Sequence, residues 1–297
     1  MLTIRMTYIT PDRNENEIIE RMNWLPGHMI TATKEIKRSI NLVDIIVEVR
    51  DARVPLVSGN KDIYKSRTKK PYLIVLNKTN LADPATVKLW QDWFTEQRES
   101  FIFINALDKN SINTIIKRSK QILRAHDATR KEMKMMLLGL PNTGKSTIIN
   151  KLSNRNATKA AATPGQTKLS LWVKADKELR ILDTPGVMPP VIHEQVHTMW
   201  LSAVHAIPDH IITPEYSACF LVEHLLENRS KAFQDFYKFE SLDIDLITAV
   251  EHIGKRRGCL RSGGGGSFDY EQIYKIVLTD FRKGSLGLIS FERPPVK

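Results

Sequence analysis

Mostly apolar runs at 43–49, 72–76, 101–104, 133–138 and 179–182 are short and bounded by Pro, Gly, Asn or Asp. Runs of that kind predict strands buried on both faces, as in a parallel sheet. The stretch 169–174 pairs with 179–182 across a polar turn. Between the runs the spacing becomes helical. Residues 31–41 carry a basic face of Lys34, Lys37 and Arg38. Residues 84–97 set Leu89, Trp90, Trp93 and Phe94 on one side, the pattern of a core face. A basic helix follows at 112–126, and 146–152 places Ile148, Ile149 and Leu152 together. Strands alternating with helices predict an α/β, doubly wound sheet whose ligand loops lie at the carboxyl ends of the strands.

The texture changes after Pro189-Pro190. Residues 191–261 read mainly as helices, with Phe220, Leu221, Leu225 and Leu226 on one face and Ile244, Leu246, Ile247 and Val250 on another. The glycine run between Ser262 and Ser267 reads as a flexible loop, 270–281 as a last helix and 284–291 as a short strand. Residues 1–23 are polar and irregular. The expected organisation is an extension at 1–23, a doubly wound domain at 24–190 and a small, mainly helical domain at 191–297.

Composition narrows the class. With 297 residues and 42% apolar side chains the chain can build a core and hold two domains, at about 150 residues each. No apolar run approaches the roughly 18 residues of a membrane span. The first residues include Asp12, Glu15, Glu17 and Glu20 and resemble neither a secretory nor a transit signal. Cys219 and Cys259 form no C-x-x-C, which suits a reducing compartment. The expectation is a cytoplasmic protein with no membrane partner. The net charge of +11 is unevenly placed. Residues 1–190 hold 32 Lys and Arg against 19 Asp and Glu, whereas 191–297 hold 12 against 14. The excess sits partly in Lys117, Arg118, Lys120, Arg124, Arg130, Lys131 and Lys134, which fits either a polyanion partner such as RNA or a solvated basic face.

The chemistry centres on Gly139 to Thr147, G-L-P-N-T-G-K-S-T, which satisfies G-x-x-x-x-G-K-[ST] between a strand and a helix. Consecutive N–H groups of Asn142, Thr143 and Gly144, with the helix N-terminus, make an anion cradle. Lys145 reaches the β- and γ-phosphates of a bound nucleotide, Ser146 ligands Mg²⁺, and Thr147 continues the cradle. Asp183-x-x-Gly186, after the 179–182 strand, has the form that holds Mg²⁺ through water and offers an N–H to the γ-phosphate. Thr167, in the turn-rich 162–167 loop, is placed to sense that phosphate through Mg²⁺. Asn77-Lys78-Thr79-Asn80 is close to Asn-Lys-x-Asp, a guanine-reading loop, and Asn105-Ala106 stands where a second loop supports the base. An ATP-dependent small-molecule kinase leaves the 77–80 and 105–106 loops without a role.

The base-reading loops precede the phosphate loop, the reverse of the ordinary order. That order resembles the circularly permuted GTPases, and within them the ribosome biogenesis GTPase A (YlqF) family. The resemblance rests on W-L-P-G-H-M at 24–29, D-A-R-V-P at 51–55, N-K-T-N at 77–80, the phosphate loop, P-G-Q-T at 164–167, D-T-P-G-V at 183–187, K-R-R-G-C-L at 255–260 and S-G-G before Asp269-Tyr270. It implies a P-loop GTPase domain in circularly permuted order, followed by a helical RNA-binding domain. It further implies a factor for late maturation of the large ribosomal subunit, stimulated by the ribosome, with the subunit precursor and its rRNA as partners and a monomer off the ribosome. By the same resemblance Val187 replaces the water-orienting glutamine, His28 substitutes for it, Asn142 admits K⁺ as a second cation, and Lys255, Arg256 and Arg257 contact RNA. The alternative is an RNA-binding assembly factor that uses nucleotide as a latch with little hydrolysis. The sequence departs from the family at Asn80, where the family carries Asp. An Asn offers one acceptor and turns an NH₂ toward guanine's donors.

Overall fold

The structure, a computed structural model, describes residues 27–60, 63, 70–125, 132–153, 171–189, 192, 194–261 and 267–296. The 1–23 extension, the 162–167 loop with Thr167 and the glycines 263–266 lie outside these residues.

In chain order the doubly wound part contains α1 (Gly27–Ser39), β1 (Ile45–Asp51), β2 (Tyr72–Asn77), α2 (Pro84–Glu96), β3 (Phe101–Phe103), α3 (Lys109–Arg124), β4 (Met133–Leu138), α4 (Lys145–Leu152), β5 (Leu171–Asp176) and β6 (Leu179–Asp183). The six strands form one sheet in the order β3-β2-β1-β4-β6-β5. All neighbours are parallel except the β5–β6 hairpin at one edge. The chain adds β2 and β3 on one side of β1, then returns to add β4 on the other. That reversal opens a crevice between β1 and β4 at their carboxyl ends, where such sheets bind ligands.

Alternate strand residues feed two cores. Ile45, Val47, Val49, Leu73 and Val75 pack against Ile112 and Ile115 of α3 and Ile148 and Ile149 of α4. Ile46, Ile74, Leu76, Met136 and Leu138 pack against Ile36 of α1 and Trp90 and Phe94 of α2. In α2 the row Thr86, Trp90, Phe94 reaches the core; Leu89, expected on that face, lies at its edge and is 49% exposed. Asp83 and Asp108 cap α2 and α3 by accepting from main-chain N–H groups of the first turn.

The helical part contains α5 (Gln195–Ala203), α6 (Pro214–Glu227), α7 (Lys231–Tyr237), α8 (Leu246–Arg257) and α9 (Tyr270–Lys283). Its core is built from Leu221, Leu225, Phe233, Val250, Ile253, Val277 and Phe281, and it takes in Val54, Leu140 and Met188 from loops of the sheet part. The helical part thus packs on the loops at the carboxyl ends of the strands. Ile247, expected with the apolar face of α8, is exposed. The strand expected at 284–291 does not form: 284–286 turn, and 287–296 run irregularly back over the sheet part. Its main-chain groups are satisfied one at a time by loops, among them Ile289 N–H to Leu81 O (3.1 Å) and Phe291 N–H to Arg53 O (3.0 Å), so no ladder is present. No described helix is long and apolar enough to cross a membrane.

Candidate functional site

Because β1, β2, β3, β4 and β6 run parallel, the loops that follow them meet at one end of the sheet. Asn77, the last residue of β2, is buried at the meeting point. Its Nδ2 donates to the Thr143 carbonyl in the phosphate loop (2.8 Å), and its Oδ1 accepts from the Ala106 N–H beyond β3 (2.9 Å). One amide therefore ties three loops together. Gly144 shows how close the approach is. A Cβ there would stand 2.2 Å from Asn77 Nδ2, and its φ of +104° is one that side chains avoid. Gly186 brings the Asp183 loop onto the same surface: a Cβ on it would stand 2.8 Å from the Pro141 nitrogen.

Within the phosphate loop, Thr143 Oγ1 donates to the Leu140 carbonyl (3.0 Å). Lys145 opens α4 and is buried. Its ammonium donates to the carbonyls of Gly139 (3.0 Å) and Leu140 (2.8 Å), so it lies along the inside of the loop. Burial lowers its pKa to about 8, against the pull of Asp183. Burial likewise raises the Asp183 carboxyl, and Lys145 partly offsets that. Ser146 is exposed and Thr147 half-buried. A hydroxyl at the helix start and a strand-end carboxylate that interacts with Lys145 of the same helix are hard oxygen donors of the kind that suit Mg²⁺. Asn142, at φ +57°, donates from Nδ2 to the His205 carbonyl (2.8 Å) just past α5, which leaves Oδ1 as the atom a cation would take. Val187 is 2% exposed, its N–H bonded to Gly139 O (3.3 Å), so it is packed beside the loop and carries no group that can hold water.

In the second loop Lys78 is in the left-handed region (φ +65°) and its ammonium pairs with Asp51 at 2.9 Å. Burial lowers the Lys78 pKa, with Asp51 opposing. Thr79 N–H bonds to Ile104 O (3.1 Å), and Asn80 sits exposed on the 3-10 turn Thr79–Leu81. Asn105 Oδ1 accepts from Leu107 N–H (3.0 Å), shaping the loop that presents Ala106.

His28 precedes the helix expected at 31–41, but it is the second residue of α1. Residues 28–38 contain neither Gly nor Pro, so the helix extends back to Gly27. Its side chain lies outside the described residues, as does all of Thr167. Lys255 and Arg256 are exposed at the end of α8. Arg257 differs from them: its Nη2 bonds both oxygens of Asp280 (2.9 and 2.8 Å), and its guanidinium lies 5.7 Å from the Phe236 ring centroid.

Sequence reasoning missed the role of the charges closing β1. Glu48, Arg50, Asp51 and Arg53 are all buried. Glu48 pairs with Arg50 and accepts from Asn60 N–H (2.8 Å); Asp51 pairs with Arg53 and Lys78. Burial alone would raise the Asp51 carboxyl, but the two cations hold it well below the usual carboxylate range. Four charged residues among 48–53, at the end of an otherwise apolar strand, were the available signal.

A family model described as 50S ribosome-binding GTPase matches residues 134–249. That stretch begins in β4 and ends in α8, so β1 to β3 and their loops fall before it. The chain is 35% identical over 280 residues to ribosome biogenesis GTPase A of Bacillus pumilus, covering 92% of this chain and 99% of the relative. It is 32% identical to the protein of that name from Thermotoga maritima, over 92% and 95% of the two chains. The crystal structure of GNP-bound YlqF from T. maritima superposes with a TM-score of 0.64 at 28% identity, covering 89% of this chain and 98% of that one.

Proposed function

The chain belongs to the ribosome biogenesis GTPase A family, and from that premise we propose that it acts in late maturation of the large ribosomal subunit, with its hydrolysis stimulated by the ribosome. It is a GTP-hydrolysing enzyme of ribosome biogenesis, with GTP as substrate and the Mg²⁺ typical of GTPases. The observation that carries the site assignment is Asn77, whose one amide binds the phosphate loop to both loops expected to hold the base. In this reading 24–190 form the GTPase domain and 191–297 the domain that contacts rRNA. Asn77, Lys78, Thr79 and Asn80 read the base, with Asn105 and Ala106 behind it. Asn142 to Thr147 cradle the phosphates, and Thr167, Asp183 and Gly186 respond to the γ-phosphate.

Ser146 and Thr167 would hold Mg²⁺, which when bound neutralises charge on the β- and γ-oxygens. Asn142 would give its Oδ1 to K⁺. Lys145 gives two of its three donors to the Gly139 and Leu140 carbonyls and has the third for a phosphate oxygen; its buried ammonium, disfavoured by desolvation, gains an anion there. Val187 excludes water from one side of the loop, and His28 orients the attacking water. Hydrolysis is positioning and electrostatic stabilisation of an in-line attack, with no covalent intermediate. Lys255, Arg256 and Arg257 contact rRNA phosphates, Arg257 while also paired with Asp280. The protein works in the cytoplasm and is a monomer when off the ribosome.

Single-turnover GTP hydrolysis with and without large ribosomal subunits tests this. A rate unaffected by subunits across a wide concentration range would overturn the stimulation.

A further inference from the structure

Asp51 is asked to serve two cations at once. Its Oδ1 accepts from Arg53 N–H (3.1 Å) and Nε (2.9 Å), and its Oδ2 from Arg53 Nη2 (2.8 Å), while Lys78 approaches Oδ2 at 2.9 Å. Such a tether helps hold Lys78, because left-handed backbone is disfavoured for any residue with a Cβ. Arg53 is 1% exposed, and its guanidinium lies 5.0 Å from the ring centroid of Phe281 in α9. From α9 the chain returns across both loops that Asp51 joins. On the base-loop side, Ile289 N–H bonds Leu81 O (3.1 Å) and Ser290 Oγ accepts from Asp83 N–H (3.0 Å). On the Asp51 side, Phe291 N–H bonds Arg53 O (3.0 Å), and the Glu292 carboxylate accepts from Leu56 N–H (2.7 Å) and Val57 N–H (3.2 Å). Trp90 Nε1 then bonds Glu292 O (3.0 Å), locking the segment to α2.

We propose that Asp51, Arg53 and segment 289–292 are positioning elements for the base loop, holding Lys78 and the 79–81 turn in the orientation that selects the base. The segment leaves the helical domain from α9, so base selection depends on how that domain is seated. The proposal rests on the reading that 77–80 contact the base. A nucleotide that orders this loop tightens the attachment of the helical domain, and a load on that domain is felt at the base, since coupling between two sites is reciprocal.

The test uses the full chain and the ratio of ADP to GDP dissociation constants as a measure of base selection. Asp51→Asn should lower that ratio by about tenfold or more, the effect of losing one charge-assisted hydrogen bond on the loop, with ADP affinity little changed. In a Lys78→Met background the same substitution should add nothing further, because Asp51 acts through Lys78. Glu292→Ala, remote from the nucleotide, should lower the ratio about threefold, and it decides the matter if Asp51→Asn fails to fold. A lower melting temperature with an unchanged ratio in both variants would overturn the proposal, as would an Asp51→Asn effect equal in both backgrounds. If Lys78→Met lowers the ratio while the other two do not, the base reading stands and the positioning role alone fails. If Lys78→Met changes nothing, the base reading is wrong and the proposal falls with it.

Discussion

Asn77→Asp and Asn77→Ala together probe the joint on which the site depends. The alanine variant removes a donor from Thr143 O and an acceptor from Ala106 N–H, at 2.8 and 2.9 Å in the native protein. Thr143 and Ala106 are 1% and 3% exposed, so water does not readily replace the lost amide. An unsatisfied buried polar group costs about 1–3 kcal/mol. Two groups with some relaxation give a loss of about 2–4 kcal/mol, or roughly 5–10 °C in melting temperature for a chain of this size. The aspartate variant carries a pH signature. Protonated, its carboxyl can still donate to Thr143 O and accept from Ala106 N–H. Ionised, it sets a carboxylate against a carbonyl in a buried place. Its folded pKa is therefore raised above the unfolded value near 3.9. The stabilisation from the protonated form is fully present below the unfolded pKa and is lost as pH rises through the folded one. Urea unfolding of the three proteins between pH 5 and 8, with GDP titration at each pH, gives the answer. Equal midpoints and equal GDP affinities for Asn77→Ala and the native chain would refute the joint. A pH-independent difference between Asn77→Asp and native would refute its electrostatic account.

Three further outcomes follow from the same geometry. Asn80→Asp should tighten GDP binding by about 1.5–3 kcal/mol, since a carboxylate accepts from both guanine donors, and the native chain should bind XDP better than the variant does; equal GDP and XDP affinities in the two proteins would show that Asn80 does not face the base. Reversing charge at Lys255 and Arg256 should weaken sedimentation with large subunits and flatten its salt dependence while leaving the melting temperature intact, whereas Arg257→Glu should lower the melting temperature because it breaks the Asp280 pair. His28→Ala should reduce subunit-stimulated turnover by about 10²-fold with GDP affinity unchanged, and normal stimulated turnover would remove His28 from the reaction.

The strands at 72–77 and 133–138 were legible because they are apolar on both faces and end in motifs that demand a turn. The loops that meet at the site were legible as motifs. Their meeting was not, because it needs the strand order that places β1 between β2 and β4. The apolar run at 43–49 stops two residues short of the end of β1, since a hydropathy pattern counts Arg50 and Asp51 as solvent-seeking. Each is buried with a partner of opposite charge, and pairing does not appear in a one-residue scale. Segment 287–296 was misread for a related reason. Its hydrogen bonds go to loops far off in sequence, so no periodicity of its own records them. Among Lys255, Arg256 and Arg257 the sequence draws no distinction; Asp280 and Phe236, distant along the chain, hold the Arg257 side chain.

The proposed role in maturation of the large ribosomal subunit is the central claim. Sedimentation of the purified chain with separated small and large subunits, in GDP, GTP and a non-hydrolysable GTP analogue, tests it most directly. The account predicts co-sedimentation with the large subunit alone, strongest with the analogue, weaker with GTP as it is hydrolysed, and weakest with GDP. Association with neither subunit in any nucleotide state, or equal association in all three, would contradict it.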